Sequence, residues 1–172
     1  LFRSSAPPGV KAVLTTRVGG MSSLPYESLN LATHVEDVQE NVLHNRRLLH
    51  EMACLPAEPY WLEQVHGTDT LVVEAVPPST VTADASFTRL KEKVLVVMVA
   101  DCLPLLLSSD SGQEVAVVHG GWRGLADGVI ESALACFAEP AVHAYLGPCI
   151  CQHHYQVGNE VREQFPVEES MY

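Results

Sequence analysis

Basic residues are scarce in this chain: 172 residues carry only 10 lysines and arginines against 21 aspartates and glutamates, which gives a net charge of −11. Nucleic-acid-binding domains need a basic face, so we expect no nucleic-acid partner. Long hydrophobic runs are also missing. Residues 94–100 form an apolar run far shorter than the roughly 20 residues that cross a bilayer, so we expect no membrane segment.

Cysteine is too sparse and too irregular to build a disulfide framework. The five cysteines are an odd number without framework spacing, which predicts reduced thiols in a cytoplasmic protein. The chain opens without a charged-then-apolar leader, so we expect no secretion signal. The length and a hydrophobic content of 47% suit one substantial core, which predicts a single domain over residues 1–172.

Hydrophobic periodicity predicts strands and helices along the whole chain. The predicted strands are residues 10–17, 70–76, 94–100, 105–108, 114–119 and 141–146. The predicted helices are residues 37–54, 125–137 and 159–165. The continuously apolar run 94–100 predicts a strand buried on both faces, the strands 105–108 and 114–119 form a hairpin, and residues 83–88 are expected to be a polar loop.

The first helix carries the clearest start signal. Asp37 followed by Glu40 predicts an N-cap with its capping-box partner. The side chains expected on the buried face are Val38, Val42, Leu49 and Met52. Asn45 and Arg46 are candidates for ligand contacts, although a solvated helix face is the simpler interpretation. We also expect buried thiols at Cys54 and Cys136, and accessible thiols at Cys149 and Cys151.

Residues 117–124 are predicted to form one edge of an active site. A run of β-branched residues ends at His119, and three glycines then surround Trp122 and Arg123 before a helix begins. A glycine loop that enters a helix suits an anion, and Arg123 adds charge there.

Three metal-ligating side chains stand where predicted strands end: His66, Cys102 and His119. Their separations are too long for a finger-type zinc motif but suit a site assembled from several strands. Two imidazoles and a thiolate favour zinc, with copper as the alternative, and do not suit magnesium or calcium. Three protein ligands leave one position open, as in catalytic sites. The competing interpretation is a buried thiol beside two hydrogen-bonded histidines.

A set of short motifs, in order along residues 10–165, resembles the YfiH family. The motifs are Thr15-Thr16-Arg17-x-Gly19-Gly20-x-Ser22, Leu29-Asn30-Leu31, Asn45-Arg46, Gln64-Val65-His66-Gly67, Ala100-Asp101-Cys102-x-Pro104, His119-x-Gly121-Trp122-Arg123-Gly124 and Gly147-Pro148-Cys149-Ile150. The family is also called laccase-domain or polyphenol-oxidase-like, and it includes the mammalian protein FAMIN.

The resemblance implies an α+β fold, a mixed-sheet layered α/β/β/α sandwich in a single domain. It also implies a zinc ion held by His66, Cys102 and His119. Family chains usually continue beyond the equivalent of Tyr172, so we expect the family's C-terminal segment to be absent here. Cys151 stands where the family usually has glycine, which places a second thiol near Cys149.

The activity that the resemblance implies is that of a zinc-dependent purine nucleoside enzyme. Its substrates are phosphate and the nucleosides adenosine, inosine, guanosine and methylthioadenosine, with adenosine deamination as a second activity. Cys102, Asp101 and Arg123 are the expected catalytic residues, with Arg123 on phosphate and Asp101 either carrying a proton or, as we favour, supporting the metal site. The residues expected to bind nucleoside or phosphate are Arg17, Gly19, Gly20, Asn30, Arg46, Gln64 and Gly121. A monomer or homodimer is expected.

Three other functions suit the same residues. A copper polyphenol oxidase is the older family label, but laccase chemistry needs several coppers and the sequence offers one ligand cluster. A hydrolase acting on a peptidoglycan precursor would use Cys102 with His119 and no metal. A non-enzymatic, metal-stabilised module would result if Cys149 or Cys151 closed the fourth position.

Overall fold

The computed structural model describes residues 6–74 and 80–165, which form a five-stranded sheet, a small two-stranded sheet and short helices. The helices are α1 (Gln39–Met52), α2 (Trp122–Asp127), α3 (Val129–Leu134) and α4 (Asn159–Arg162). The strands are β1 (Leu62–Glu63), β2 (Thr70–Val72), β3 (Val81–Thr82), β4 (Ala85–Thr88), β5 (Leu103–Ser109), β6 (Val115–Gly120) and β7 (Val142–Leu146). Among these helices, none has the length and apolar character needed to cross a membrane.

The larger sheet is mixed, as the α+β prediction requires. Its strand order is β2-β4-β6-β5-β7, with β2 parallel to β4 and every other pair antiparallel. The smaller sheet pairs β1 with β3 in parallel. The predicted α+β class with a mixed sheet is therefore confirmed.

The core lies between the sheet and α3. Phe87 of β4, Leu105 of β5 and Val118 of β6 pack with Val129 and other small side chains of α3. Because side chains alternate along a strand, the inward position of Val118 sends its neighbour His119 to the opposite face. This alternation sets the face of the sheet on which the imidazole lies.

The hairpin and the helix that follows it agree with the sequence, with one break. β5 pairs antiparallel with β6 around a turn that contains Gly112, as predicted. The predicted helix 125–137 is instead two short helices, because Gly128 adopts a left-handed φ of 98° between them. β7 matches its predicted range closely, whereas α4 ends at Arg162 instead of residue 165.

Three of the predicted extended or loop segments are wrong. Residues 83–88 contain β4, whose four residues are all buried because it lies between β2 and β6, so its serine and threonine do not mark a loop. Residues 94–100 are mostly half-buried and make a single bridge, between Leu95 and Tyr60. Residues 10–17 alternate in burial but form no strand. The predicted strand 70–76 is β2 as far as Val72, and its end lies outside the described residues.

The first helix buries Val42 and Leu49 as predicted, but its predicted start and the two outer residues of its predicted buried face are wrong. Val38 is the N-cap and no side chain caps it, while the Asp37 carboxylate accepts hydrogen bonds from Asn30 Nδ2 and from the Val38 N–H. Val38 is 61% exposed and Met52 is 51% exposed, whereas Asn45 is fully buried. Cys54, expected in the core, is exposed just beyond the helix.

The thiol at Cys136 is half-buried, and both Cys149 and Cys151 are exposed.

Asn45 ties α1 to the loop before it. Its Nδ2 donates to the Ser22 hydroxyl and to the carbonyl oxygens of Ser28 and Asn30. Its Oδ1 accepts from the Met21 N–H at 2.8 Å. The solvated position expected for Asn45 is therefore wrong, since this amide is the polar anchor of residues 21–30.

Replacing Asn45 with alanine is expected to destabilise the fold by roughly 2–4 kcal/mol, because buried donors and acceptors of the loop lose their partner. Urea unfolding measures the change in the free energy of unfolding. Arg47→Ala, on the exposed side of the same helix, is the matched control and should change it by less than about 0.5 kcal/mol. Equal effects of the two substitutions would contradict the anchoring role.

Candidate metal centre

Three potential ligands from separate parts of the chain meet at one point. One ligand atom each from His66, Cys102 and His119 lies within 4.8 Å of the other two. His66 lies in the loop after β1, Cys102 immediately precedes β5, and His119 is in β6. The structure thus brings together the trio that the sequence singled out.

His119 is buried and held at both its backbone and its ring. Its N–H donates to the Asp84 carbonyl at 2.7 Å, and its Nδ1 donates to Asp84 Oδ1 at 2.8 Å. Since an ionised carboxylate can only accept, Nδ1 carries a proton, and in the neutral ring Nε2 is then the nitrogen with the lone pair that a metal needs.

His66 is held through its backbone. Its φ is 61°, in the left-handed region, and the Asp84 carboxylate accepts the N–H groups of Val65, His66 and Gly67 at 3.1, 2.9 and 2.7 Å. The His66 ring packs against Gly121, where an added Cβ would overlap the imidazole. Gly121 therefore contributes to the site by leaving space for the imidazole ring of His66.

Cys102 completes the cluster from the side of β5. Its Sγ lies 3.9 Å from His66 Nε2. Burial raises the pKa of the Cys102 thiol, and the adjacent Asp101 raises it further. Without a cation the thiol is therefore protonated at neutral pH, which disfavours the metal-free nucleophile considered above. A bound cation would favour the thiolate instead.

Asp84 is the site residue that the sequence analysis missed. It lies between β3 and β4, is fully buried, and had been assigned to a polar loop. The sequence did contain a signal for it, since Asp84 is a single acid among small and β-forming residues. A charge buried in such a segment is costly unless it has hydrogen-bond partners. The support that we expected from Asp101 is supplied to both histidines by Asp84, whereas Asp101 raises the pKa of the adjacent Cys102 thiol.

The glycine segment 120–124, which we expected to be a loop, is the end of β6 and the first turn of α2, and it lies against the loop that carries His66. Gly121 is the N-cap of α2, and a Cβ on Gly124 would lie 2.8 Å from the Gly67 carbonyl oxygen. Arg123 is exposed, with its guanidinium 4.3 Å from the centre of the Trp122 ring. The first turn of α2 thus carries one exposed cation, close in sequence to the glycines that contact the His66 loop.

The first glycine loop is closed on itself. The N–H groups of Gly19 and Gly20 both donate to Ser28 Oγ, at 2.9 and 3.1 Å. Arg17 is exposed, and its Nε donates to the Glu27 carbonyl at 2.7 Å. Because both amides are already paired, an anion here would be contacted by the Arg17 side chain and not by the glycine amides that we had expected to bind it.

The remaining predicted substrate residues also bond within the chain. Asn30 bonds Asp37 and Ala32, Arg46 bonds the Leu31 carbonyl and stacks 3.7 Å over Trp61, and Gln64 bonds both backbone groups of Met98. Burial lowers the pKa of Arg46. The solvated face expected for Arg46 is therefore wrong. At Met98, within the predicted strand 94–100, the Gln64 side chain takes the place of a strand neighbour.

Comparison with known proteins places the chain in a family. Residues 11–171 match the family described as multi-copper polyphenol oxidoreductase laccase. The chain belongs to this laccase family. It is 47% identical over 161 residues to the purine nucleoside phosphorylase YfiH of Escherichia coli K12, covering 92% of this chain and 66% of that protein. A Haemophilus influenzae purine nucleoside phosphorylase is 44% identical over 165 residues, covering 95% and 67%.

Solved structures show the same laccase-family fold. A Neisseria meningitidis protein matches with a TM-score of 0.88 and 41% identity over 93% of this chain and 66% of its own. YlmD from Geobacillus stearothermophilus matches with a TM-score of 0.82 and 30% identity, over 94% and 67%. The chain thus spans about two thirds of the length of the relatives it matches.

The donor set suits one metal ion better than the several coppers in the family's description. Over residues 6–74 and 80–165, the cluster of His66, Cys102 and His119 is the single group of three or more close ligands. Two imidazoles and a thiolate fit zinc, or copper as the alternative. Cys151 lies against His154 instead, with Sγ 3.0 Å from Nδ1, and the group of close ligand atoms contains neither Cys149 nor Cys151.

We predict that the purified protein binds about one zinc ion per chain. His119→Ala should remove most of it, because the substitution leaves only two of the three protein ligands. Elemental analysis by mass spectrometry measures both. His143→Ala is the control, since this exposed histidine pairs with Asp110 away from the cluster. Full zinc content in His119→Ala would contradict the assignment, and two or more coppers per chain would favour an oxidase.

Proposed function

We propose that this chain is the metal-bearing part of a purine nucleoside phosphorylase. The observation that carries the proposal is the cluster of His66, Cys102 and His119 in a chain 47% identical to a protein of that name. The proposed substrates are phosphate and adenosine, inosine, guanosine or methylthioadenosine. The free thiols favour a cytoplasmic protein. We also propose that the chain is a single domain and that it assembles as a monomer or a homodimer.

Zinc fits the donor set, with His66, Cys102 and His119 as ligands. When bound, it supplies a fixed positive charge that stabilises developing negative charge on a reacting group. The chain's own part is to hold the Nδ1 side of His119 against Asp84, which leaves Nε2 as the nitrogen for a metal, and to keep the Cys102 sulfur in reach. Gly121 provides room for the His66 ring, and Asp101 adjoins the thiol.

Phosphate must be drawn to a strongly acidic protein. With a net charge of −11, an anion meets an unfavourable field unless cations are concentrated where it binds. Arg123 lies in the first turn of α2, next to residues that pack against the His66 loop, and its exposed guanidinium suits a bidentate contact with phosphate. We propose Arg123 as the main phosphate residue and Arg17 as a second.

The other proposed substrate residues shape the site through their internal contacts. Asn30, Arg46 and Gln64 hold neighbouring segments in place, and the paired amides of Gly19 and Gly20 fix the loop that presents Arg17. Nucleoside contacts would then come from the exposed parts of these segments.

Adenosine deamination is the second candidate activity. The observation that favours it is the three-ligand cluster, since a metal with three protein ligands keeps an open position for water or substrate. Deamination consumes water and not phosphate, so the two activities depend differently on Arg123.

Arg123→Ala is expected to weaken phosphorolysis of inosine about tenfold to hundredfold, because a charge-assisted hydrogen bond contributes roughly 1.5–3 kcal/mol. The loss should appear in the KM for phosphate. Arg123→Lys should remain impaired, since lysine lacks the planar fork. Deamination of adenosine should change less than phosphorolysis.

The measurement is inosine cleavage and adenosine deamination across a phosphate titration, with Arg47→Ala as an exposed arginine control. Equal loss of both activities would make Arg123 a structural residue. Cleavage that ignores phosphate would identify a hydrolase and overturn the proposal.

A further inference from the structure

We propose that Asp84 is the positioning residue of the metal centre, because one buried carboxylate sets the tautomer of His119 and holds the backbone of His66. Two of the three ligands would then be organised before any metal binds. The inference rests on the proposed metal site but not on nucleoside chemistry.

The first part of this arrangement is the bond from the His119 ring to Asp84. Asp84 Oδ1 lies 2.8 Å from Nδ1, and neither side chain is exposed by more than 5%. No water competes for a bond this deeply buried, so the carboxylate determines which nitrogen carries the proton. The Asp84 carbonyl also accepts the His119 N–H, so the same residue fixes the position of the ring and its tautomer.

The second part is the turn that carries His66. Three successive N–H groups, from residues 65 to 67, converge on the two carboxylate oxygens of Asp84. A left-handed residue within such a turn directs neighbouring N–H groups into one concavity, which is an anion-binding nest. Here the anion is the protein's own carboxylate, and it holds His66 at the angle that brings its ring beside His119, with centroids 4.7 Å apart.

A merely structural role for Asp84 is the competing explanation. Glu114 shows what that role resembles: it is also a buried carboxylate, and it accepts the N–H groups of Ala138 and Glu139 and the Nε of Arg89. None of its partners is a ligand of the cluster. Every hydrogen-bond donor to the Asp84 carboxylate, in contrast, belongs to a ligand or to a neighbour of one.

The test compares Asp84→Asn with Glu114→Gln. An amide in place of Asp84 turns one acceptor oxygen into a donor, so it must oppose either the N–H groups of the His66 turn or the Nδ1 proton of His119. We expect zinc affinity, measured by competition with a chelating dye, to fall about tenfold to hundredfold in Asp84→Asn. Glu114→Gln should lower the unfolding temperature yet keep zinc affinity within about twofold of the original protein.

A second measurement needs no substitution. Nitrogen-15 NMR of the metal-free protein should show His119 with its proton on Nδ1, whereas histidine in water prefers the other tautomer. The Nε2–H tautomer at His119 would overturn the proposal, and this result decides the question even if Asp84→Asn does not fold. Unchanged zinc affinity in a folded Asp84→Asn, or equal zinc loss in Glu114→Gln, would also overturn it.

The outcome is separable from that of the proposed function. Zinc affinity that depends on Asp84 in a protein that cleaves no nucleoside would leave this inference standing and remove the phosphorylase. Phosphate-dependent cleavage with zinc affinity indifferent to Asp84 would do the reverse.

Discussion

The arrangement of this site depends on one buried carboxylate that has to be surrounded by donors. Burial alone raises the pKa of Asp84, but the hydrogen bonds from His119 and from the N–H groups of residues 65–67 hold it below its usual value. The charged form is therefore the one that the fold accommodates, and an unpaired charge at this depth would cost several kcal/mol or more. Both the end of β6 and the His66 turn have to meet it.

Sheet register explains why these segments meet. β4 pairs with β6 so that Ala85 lies opposite Val118, which places the residue before Ala85 next to His119. β5 pairs with β6 so that Pro104 lies opposite His119. Cys102 lies two residues before Pro104, at the same end of β5. A shift of β6 by one residue against its two neighbours would move His119 to the α3 face and separate the three ligands. The site is thus a consequence of the pairing of three strands.

Features that depend on neighbouring residues could be predicted from the sequence. Features that depend on contacts with distant parts of the chain were predicted wrongly. His66, Cys102 and His119 stood out because soft ligands follow apolar runs, and the hairpin of β5 and β6 followed from its turn. Asp84 did not, because the polar composition of residues 83–88 hides a strand buried between two neighbours. Asn45 was misplaced for a related reason: its burial depends on a loop 15 to 24 residues away and not on helical periodicity.

The strain at His66 shows how the site is held together. An L-residue in the left-handed region costs roughly 1–2 kcal/mol, and Gly67, its flexible neighbour, does not adopt that conformation in its place. Three hydrogen bonds to one ionised carboxylate offset such a cost, whereas three bonds to water would not select a single turn. The same carboxylate then has one remaining direction, which His119 fills. Strain, charge and tautomer are therefore linked through Asp84, and a change in any one of them alters the geometry available to the metal.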